Sequence, residues 1–405
     1  MRDLSYYVLA LGMLCMPVCA EEVGVLHPYV DYSYTYDDNV LRQNNVDPSV
    51  PHSFRLSDTI QYIQAGIDAE KKVGQQQLNA SASINHTWFT HLNSLDYDGQ
   101  DVSLGWKWRL GNHIQGNLSS SYSKTLTPFV DFHGEERNLR NQNRTVLDAS
   151  WNFHPSWQVR SGLTHYGLTY DLYSQKRLDR MEDTVEFGLD YLATTQSSIG
   201  LQTRHIRGRL PNNWDDNGNT ILDDHGNPVD NSYIHNEFMG KFDWHITGKS
   251  RVQLLGGLVQ RKHDSDPGRD FNGFNSRAIA NWMPTSKVGL TLNAWREIGS
   301  YDNLTASYTL NRGVSLAPTW DLTDKLRMEA MLRYEKRDYT GDAIVVSRQD
   351  NANYLSLSLE YFPWQKVQVG LTAYRDVRSS SAVDAFNIPY NYRANGVVIN
   401  SRYKF

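Results

Sequence analysis

The chain has 405 residues, with 40 Lys and Arg against 45 Asp and Glu; the net charge of −5 argues against nucleic acid as a partner. A mean hydropathy of −0.58 and the lack of any long apolar run exclude a membrane protein built from helices. They do not exclude a membrane barrel, in which half of every strand faces water; aromatics at 12%, led by 24 Tyr and 11 Trp, would supply its interfacial girdles.

Met1 and Arg2 precede an apolar stretch from Leu4 to Leu14, followed by Pro17, Val18, Cys19 and Ala20. This pattern predicts a secretory signal over residues 1–20, cut so that Glu21 leads the mature chain, with 21–405 forming one barrel domain. Both cysteines, Cys15 and Cys19, fall in the signal, and Val18 fits poorly as the residue before a lipoprotein cysteine. The mature fold must then be held by hydrogen bonds and packing without disulfides.

The first strand runs from Pro28 to Tyr36, with Val30, Tyr32, Tyr34 and Tyr36 on one face and Asp31, Ser33 and Thr35 on the other. A polar loop from Asp37 to Ser53 follows, and the unit of strand, tight turn, strand and longer loop then repeats. Leu78 to Ile84, Val102 to Leu110, Val185 to Tyr191 and Leu355 to Tyr361 all place apolar residues at every second position. Such alternation puts one face in an apolar medium and the other in water. Short turns are expected near 71–74, 111–113, 154–156, 193–197, 247–250, 283–287, 319–325 and 363–366. Several share one hairpin pattern, as in Trp151–Val159, Trp282–Val288 and Tyr361–Val367, with Pro inside the turn, where no ladder donor is needed. Longer polar loops are expected at Thr125–Asn143, Leu210–Asn231, Asp338–Asn351 and Arg378–Asn391.

The last strand, Asn395 to Phe405, places Val397, Ile399, Tyr403 and Phe405 on one side. It resembles the closing strand of bacterial outer-membrane barrels, whose aromatic end is read by the insertion machinery; Asn400 stands where those strands often carry Gly. The predicted fold is all-β: a single transmembrane antiparallel up-and-down barrel of about eighteen strands, with both termini periplasmic. The noisier strands Arg251–Arg261 and Leu304–Leu316 leave sixteen open.

The sequence carries no Gly-x-Ser-x-Gly elbow, no zinc helix and no cysteine outside the signal, so no catalytic residue, resident metal or cofactor is assigned. The acidic pairs Asp37-Asp38 and Asp223-Asp224 fall in loops, where solvent accounts for them. Asn213, Asp215, Asn217, Gly218 and Asp224 have calcium-loop spacing, but Asn opens the set and Asp closes it, and a polar loop with an Asn-Gly turn accounts for the same residues. Alternation points Lys107, Arg109, Arg160, Arg204, Arg277, Arg327 and Arg333 inward, together with Asp101, Asp148, Glu186, Asp190, Glu237, Asp243, Glu329 and Glu335. These charges either neutralise one another in a wet interior or line a conduit for a hydroxyl-rich polymer; their mixed sign argues against a strongly ion-selective channel. The candidate pore-lining residues are Lys107, Arg109, Arg160, Arg204, Glu237, Arg277 and Arg327.

The stretch Tyr36-Asp37-Asp38-Asn39-Val40-Leu41-Arg42, with His27-Pro28-Tyr29 ahead of it and the repeated Pro-containing turns, resembles the EpsL-type barrel proteins encoded in bacterial exopolysaccharide gene clusters. Related β-barrel porins share the Asp-Asn-x-x-Arg element. The resemblance covers nearly the whole chain after the signal. It implies an outer-membrane role in making or exporting extracellular polysaccharide, with outer-membrane lipid and that polymer as partners. The alternative is a general or solute-selective diffusion porin, which should fold a loop inward as a constriction. A third reading, an outer-membrane hydrolase, finds no support in the motifs.

Overall fold

The computed structural model describes residues 25–405 apart from 48–54, 131, 133, 213–218, 223–225, 231, 266, 268–269, 300–307, 341–347 and 382–389. The expected signal and the ligand positions of the calcium-spaced loop (Asn213, Asp215, Asn217 and Asp224) lie outside the described residues.

Eighteen strands follow one another along the chain. The first six are β1 Val25–Asp37, β2 Asp58–Val73, β3 Gln76–Phe89, β4 Tyr97–Leu110, β5 Ile114–Leu126 and β6 Leu139–His154. Then come β7 Trp157–Tyr170, β8 Arg180–Leu192, β9 Ser198–Arg209, β10 Tyr233–Thr247, β11 Ser250–His263 and β12 Phe271–Trp282. The last six are β13 Val288–Gly299, β14 Tyr308–Thr323, β15 Leu326–Thr340, β16 Gln349–Trp364, β17 Val367–Ser380 and β18 Tyr392–Lys404. Each pairs antiparallel with its chain neighbours, and β18 returns to β1, with Tyr29 opposite Lys404 and Asp37 opposite Gly396. The sheet therefore closes and keeps no free edge. The last residue meets β1 at the short-turn rim, where the Phe405 N–H donates to the Pro28 carbonyl at 2.9 Å.

Several strands run further than the sequence alternation suggests. β5 reaches Leu126 and β6 starts at Leu139, inside the stretch 125–143 expected to be loop. β15, β16 and β17 likewise extend into the loops expected at 338–351 and 378–391. At this end the strands pass beyond the apolar band, both faces turn polar, and the period-two signal fades while the ladder continues. At the other rim, the turn expected at 319–325 narrows to residues 324–325, and Pro363 stays within β16, beside a register shift between Tyr361 and Trp364. A proline needs no ladder donor at such an irregularity.

The outer face is apolar over a limited height. On β15 it carries Leu326, Met328, Ala330, Leu332 and Tyr334, then turns to Lys336 and Asp338. Eight residue steps on a strand tilted by roughly 40° rise about 20 Å, close to the apolar band of a membrane barrel. Exposed Trp151, Trp157, Trp244, Trp282, Trp320 and Trp364 ring the short-turn side, and Tyr36, Trp88, Tyr122 and Tyr334 the long-loop side. On the inner face, glycines seat aromatic rings from the strand opposite. Tyr233 lies over Gly208 and Tyr374 over Gly396, each directly across the ladder, so closely that a Cβ would fall 2.2 and 2.3 Å from a ring carbon.

Candidate functional site

The interior is narrowed by the loop between β5 and β6. Its neck is closed by the Thr127 N–H donating to the Asn138 carbonyl at 2.8 Å. From there the chain leaves the wall. Phe129 packs on a buried apolar cluster of Val40, Leu41, Phe89, Leu92 and Leu95. The Val130 carbonyl accepts a hydrogen bond of 3.3 Å from Arg378 Nη1 on β17, six strands away around the barrel. Val130 thus faces residues of β12 to β18, among them Arg277, Arg333, Tyr354 and Tyr392, across a cavity of about 790 Å³.

A chain of ion pairs climbs the wall from β7 to β10. Starting at the short-turn side, Lys241 lies 3.7 Å from Asp190, and Asp190 accepts from Arg160 at 2.5 Å. Arg160 stands 3.5 Å from Glu186, which accepts from Arg204 at 2.9 Å. Arg204 also donates to Glu237 at 3.1 Å, and Glu237 lies 3.0 Å from His235 Nε2. Arg261, buried above them, donates to His235 Nδ1 at 3.3 Å and stacks 4.0 Å from the centre of the Tyr233 ring. Such stacking suits a guanidinium that has lost its water. This wall bounds a second cavity of about 750 Å³, into which Arg144 also faces, with no carboxylate partner among the described residues.

The facing wall repeats the alternation. Arg277 holds Glu297 through two bonds of 2.7 Å, and Glu335 accepts from both Arg333 and Arg337 at 2.5 Å. Arg348 pairs bidentately with buried Asp350 at 2.9 and 2.6 Å, and Tyr339 donates to the same carboxylate at 3.0 Å. Tyr392 donates to Asp376 at 3.2 Å.

The Tyr36–Arg42 stretch forms the clasp that joins the first strand to the last two. Tyr374 donates to Asp37 Oδ2 at 2.5 Å, and Arg42 lies 2.9 Å from the same carboxylate and 3.4 Å from Asp376. Asp38 accepts from the Asn395 backbone at 2.7 Å and from its side chain at 2.8 Å. Asn39, fully buried, donates to the Gln43 carbonyl at 2.7 Å and the Arg393 carbonyl at 3.1 Å. Burial alone would depress the Arg42 guanidinium, but the Asp37 carboxylate and the Tyr374 hydroxyl beside it outweigh this and hold its pKa above the ordinary arginine value.

All seven candidate pore-lining residues face inward. The structure brings Arg160, Arg204 and Glu237 into one ladder. Arg277 stands on the opposite wall, and Arg327 lies near the short-turn rim, paired with Asp321 at 2.7 Å. Arg109, at the same rim, donates to Gln115 at 3.2 Å, and Lys107 stands opposite Asn117. Sequence reasoning missed Val130, Arg378, Tyr392 and the clasp partners. Arg378 keeps the phase of Tyr374 and Asp376, which was the available signal, but it fell in a stretch expected to be loop.

A family model described as "Putative beta-barrel porin 2" matches residues 241–405, from within β10 to the end of the chain. No curated protein sequence matches. Among solved structures, the chain is similar to a BenF-like porin from Pseudomonas fluorescens Pf-5, at 8% identity and a TM-score of 0.52, covering 94% of this chain and 99% of that one. It is also similar to Pseudomonas aeruginosa OpdK, solved with vanillate, at 9% identity and a TM-score of 0.51, covering 94% and 99%. Pseudomonas aeruginosa OccK9 (OpdG) matches at 11% identity and a TM-score of 0.51, covering 94% and 98%. None of these matches carries the exopolysaccharide assignment. The chain is a closed eighteen-stranded antiparallel barrel with the fold of porins.

Proposed function

We propose that this barrel sits in the outer membrane, with its chain ends and short turns toward the periplasm, as a diffusion porin for small polar solutes. The loop at 127–138 carries this reading: it reaches from β5 to Arg378 on β17, and its Val130 lines a charged cavity in the interior. A wide polymer conduit gains nothing from such an inward loop, whereas a porin sets its size limit with one. Arg144, facing the lumen without a carboxylate partner among the described residues, biases passage toward anionic over cationic solutes of equal size. The Tyr36–Arg42 stretch, on which the exopolysaccharide reading rests, supports that reading less than its sequence suggests, because the side chains of Asp37, Asp38, Asn39 and Arg42 are occupied in the clasp.

The test is conductance of the purified barrel in planar bilayers, together with solute uptake and surface polymer in a deletion strain. Replacing residues 128–137 by a short Gly-Ser link is expected to raise conductance severalfold. The deletion strain is expected to take up small polar solutes more slowly and to keep its polymer. Loss of polymer with normal uptake would overturn the porin reading in favour of exopolysaccharide export.

A further inference from the structure

On the outer wall beyond the apolar band, carboxylates stand across the ladder from histidine or arginine. His86 stands opposite Asp98, and Asp183 opposite both His165 and Arg207. The face of β13–β15 breaks this pattern. Arg296 stands directly opposite Arg312, and Arg312 directly opposite Lys336. All three lie on the face carrying Ala294, Val314 and Tyr334, two residues nearer the long-loop rim on each strand, one step past the edge of the band. Asp338 is the one carboxylate among the described residues that meets this row, pairing with Arg312 and, at 3.7 Å, with Lys336. Arg296 is held in place by donating to the Phe274 carbonyl.

Like charges directly opposite on neighbouring strands destabilise a sheet. Three cations span only about 10 Å here, two strand spacings, and one carboxylate leaves them in excess. An anion supplied from outside would relieve the repulsion, and the height of the row at the margin of an apolar band selects one anchored in a membrane leaflet. We propose that the outer face of β13–β15 binds the phosphate groups of an anionic lipid in the leaflet at the long-loop rim. Arg296 and Arg312 offer planar forks to the phosphate oxygens, Lys336 adds a point charge, and the apolar surface below receives the acyl chains. This inference rests on the membrane-embedded reading of the barrel and is independent of what passes through the lumen.

The full chain is placed in phosphatidylcholine nanodiscs doped with lipid A, an acylated glucosamine disaccharide carrying two phosphates, or with its dephosphorylated form. Retained lipid is counted by native mass spectrometry. The wild-type barrel is expected to keep one phosphorylated lipid and to release the dephosphorylated one. R296Q/R312Q/K336Q is expected to lower that retention about tenfold or more, since each cation near a membrane surface adds to anionic-lipid attraction. D338N, which removes the competing carboxylate, is expected to raise it, a gain that misfolding cannot produce. Equal retention by the triple variant, equal retention of the dephosphorylated lipid, or no gain in D338N would overturn the proposal. A wild-type barrel that fails to enter pure phosphatidylcholine discs would overturn the membrane reading with it.

Discussion

Arg42 adopts a left-handed backbone, with φ of 54°, a conformation that costs energy for a residue with a side chain. The clasp holds it there. Its guanidinium is buried between Asp37 and Asp376, and its backbone N–H donates to the Asn39 carbonyl at 3.1 Å. Removing Asp37 would leave the buried guanidinium to its longer, 3.4 Å contact with Asp376. Asp37→Asn is therefore expected to destabilise the barrel by about 3 kcal/mol, read from its unfolding midpoint in urea with lipid bicelles. Gly396→Val acts on the same corner, because the new side chain meets the Tyr374 ring that donates to Asp37. The expected cost is about 1–3 kcal/mol of overpacking; an unchanged midpoint would show that the ring does not lie across the glycine. The Asp-Asn-x-x-Arg pattern was visible as a pattern, but its work was not. Its partners, Tyr374, Asp376, Arg393 and Asn395, stand more than 300 residues away, where no local rule connects them.

Strands of this kind declare themselves where one face is apolar. Leu104 is more than half exposed on the outer wall and Ser103 faces inward, as their alternation requires. Leu104→Arg is expected to cost about 2–4 kcal/mol if it lies near the bilayer midplane, and Ser103→Arg little, as measured by equilibrium unfolding in liposomes. Equal costs would mean that no lipid contacts this face. The loop between β5 and β6 behaves differently. Its inward course depends on Phe129 finding the Val40–Leu95 cluster and on Arg378 reaching the Val130 carbonyl, contacts that neither local composition nor periodicity encodes. Arg378→Ala is expected to leave the barrel folded, because β16–β18 keep their ladders, and to increase conductance fluctuations in single-channel records. A trace as quiet as that of the wild-type barrel would show that this bond does not hold the loop.

For the whole molecule, closure is the central event. Eighteen antiparallel neighbours bury their backbone groups in one another, and the β1–β18 seam completes the ring. Beyond the ladder, the seam is reinforced inside by Arg402 donating to Asp31 at 2.6 and 2.5 Å, and at the long-loop rim by the clasp. Asp31→Ala is expected to leave Arg402 facing the seam uncompensated and to lower the thermal midpoint of heat-modifiable gel migration by several degrees. The ladder of Arg160, Glu186, Arg204 and Glu237 belongs to this scale too, since its members come from four strands spread over about eighty residues of chain. Their inward direction was legible one strand at a time; their contacts depended on register.

By itself the sequence determined the barrel, a strand number of eighteen or sixteen, and which face of each clean strand is apolar; the structure set the number at eighteen. Those properties are repeated along the chain: one face meets an apolar medium, the other meets water, and every hairpin says so again. Only the tertiary structure decided where the strands end, which charges pair, and which loop turns inward. Beyond the apolar band both faces are wetted and the alternation carries no signal. An ion pair between strands depends on stagger around a closed ring, and an inward loop on an acceptor six strands away.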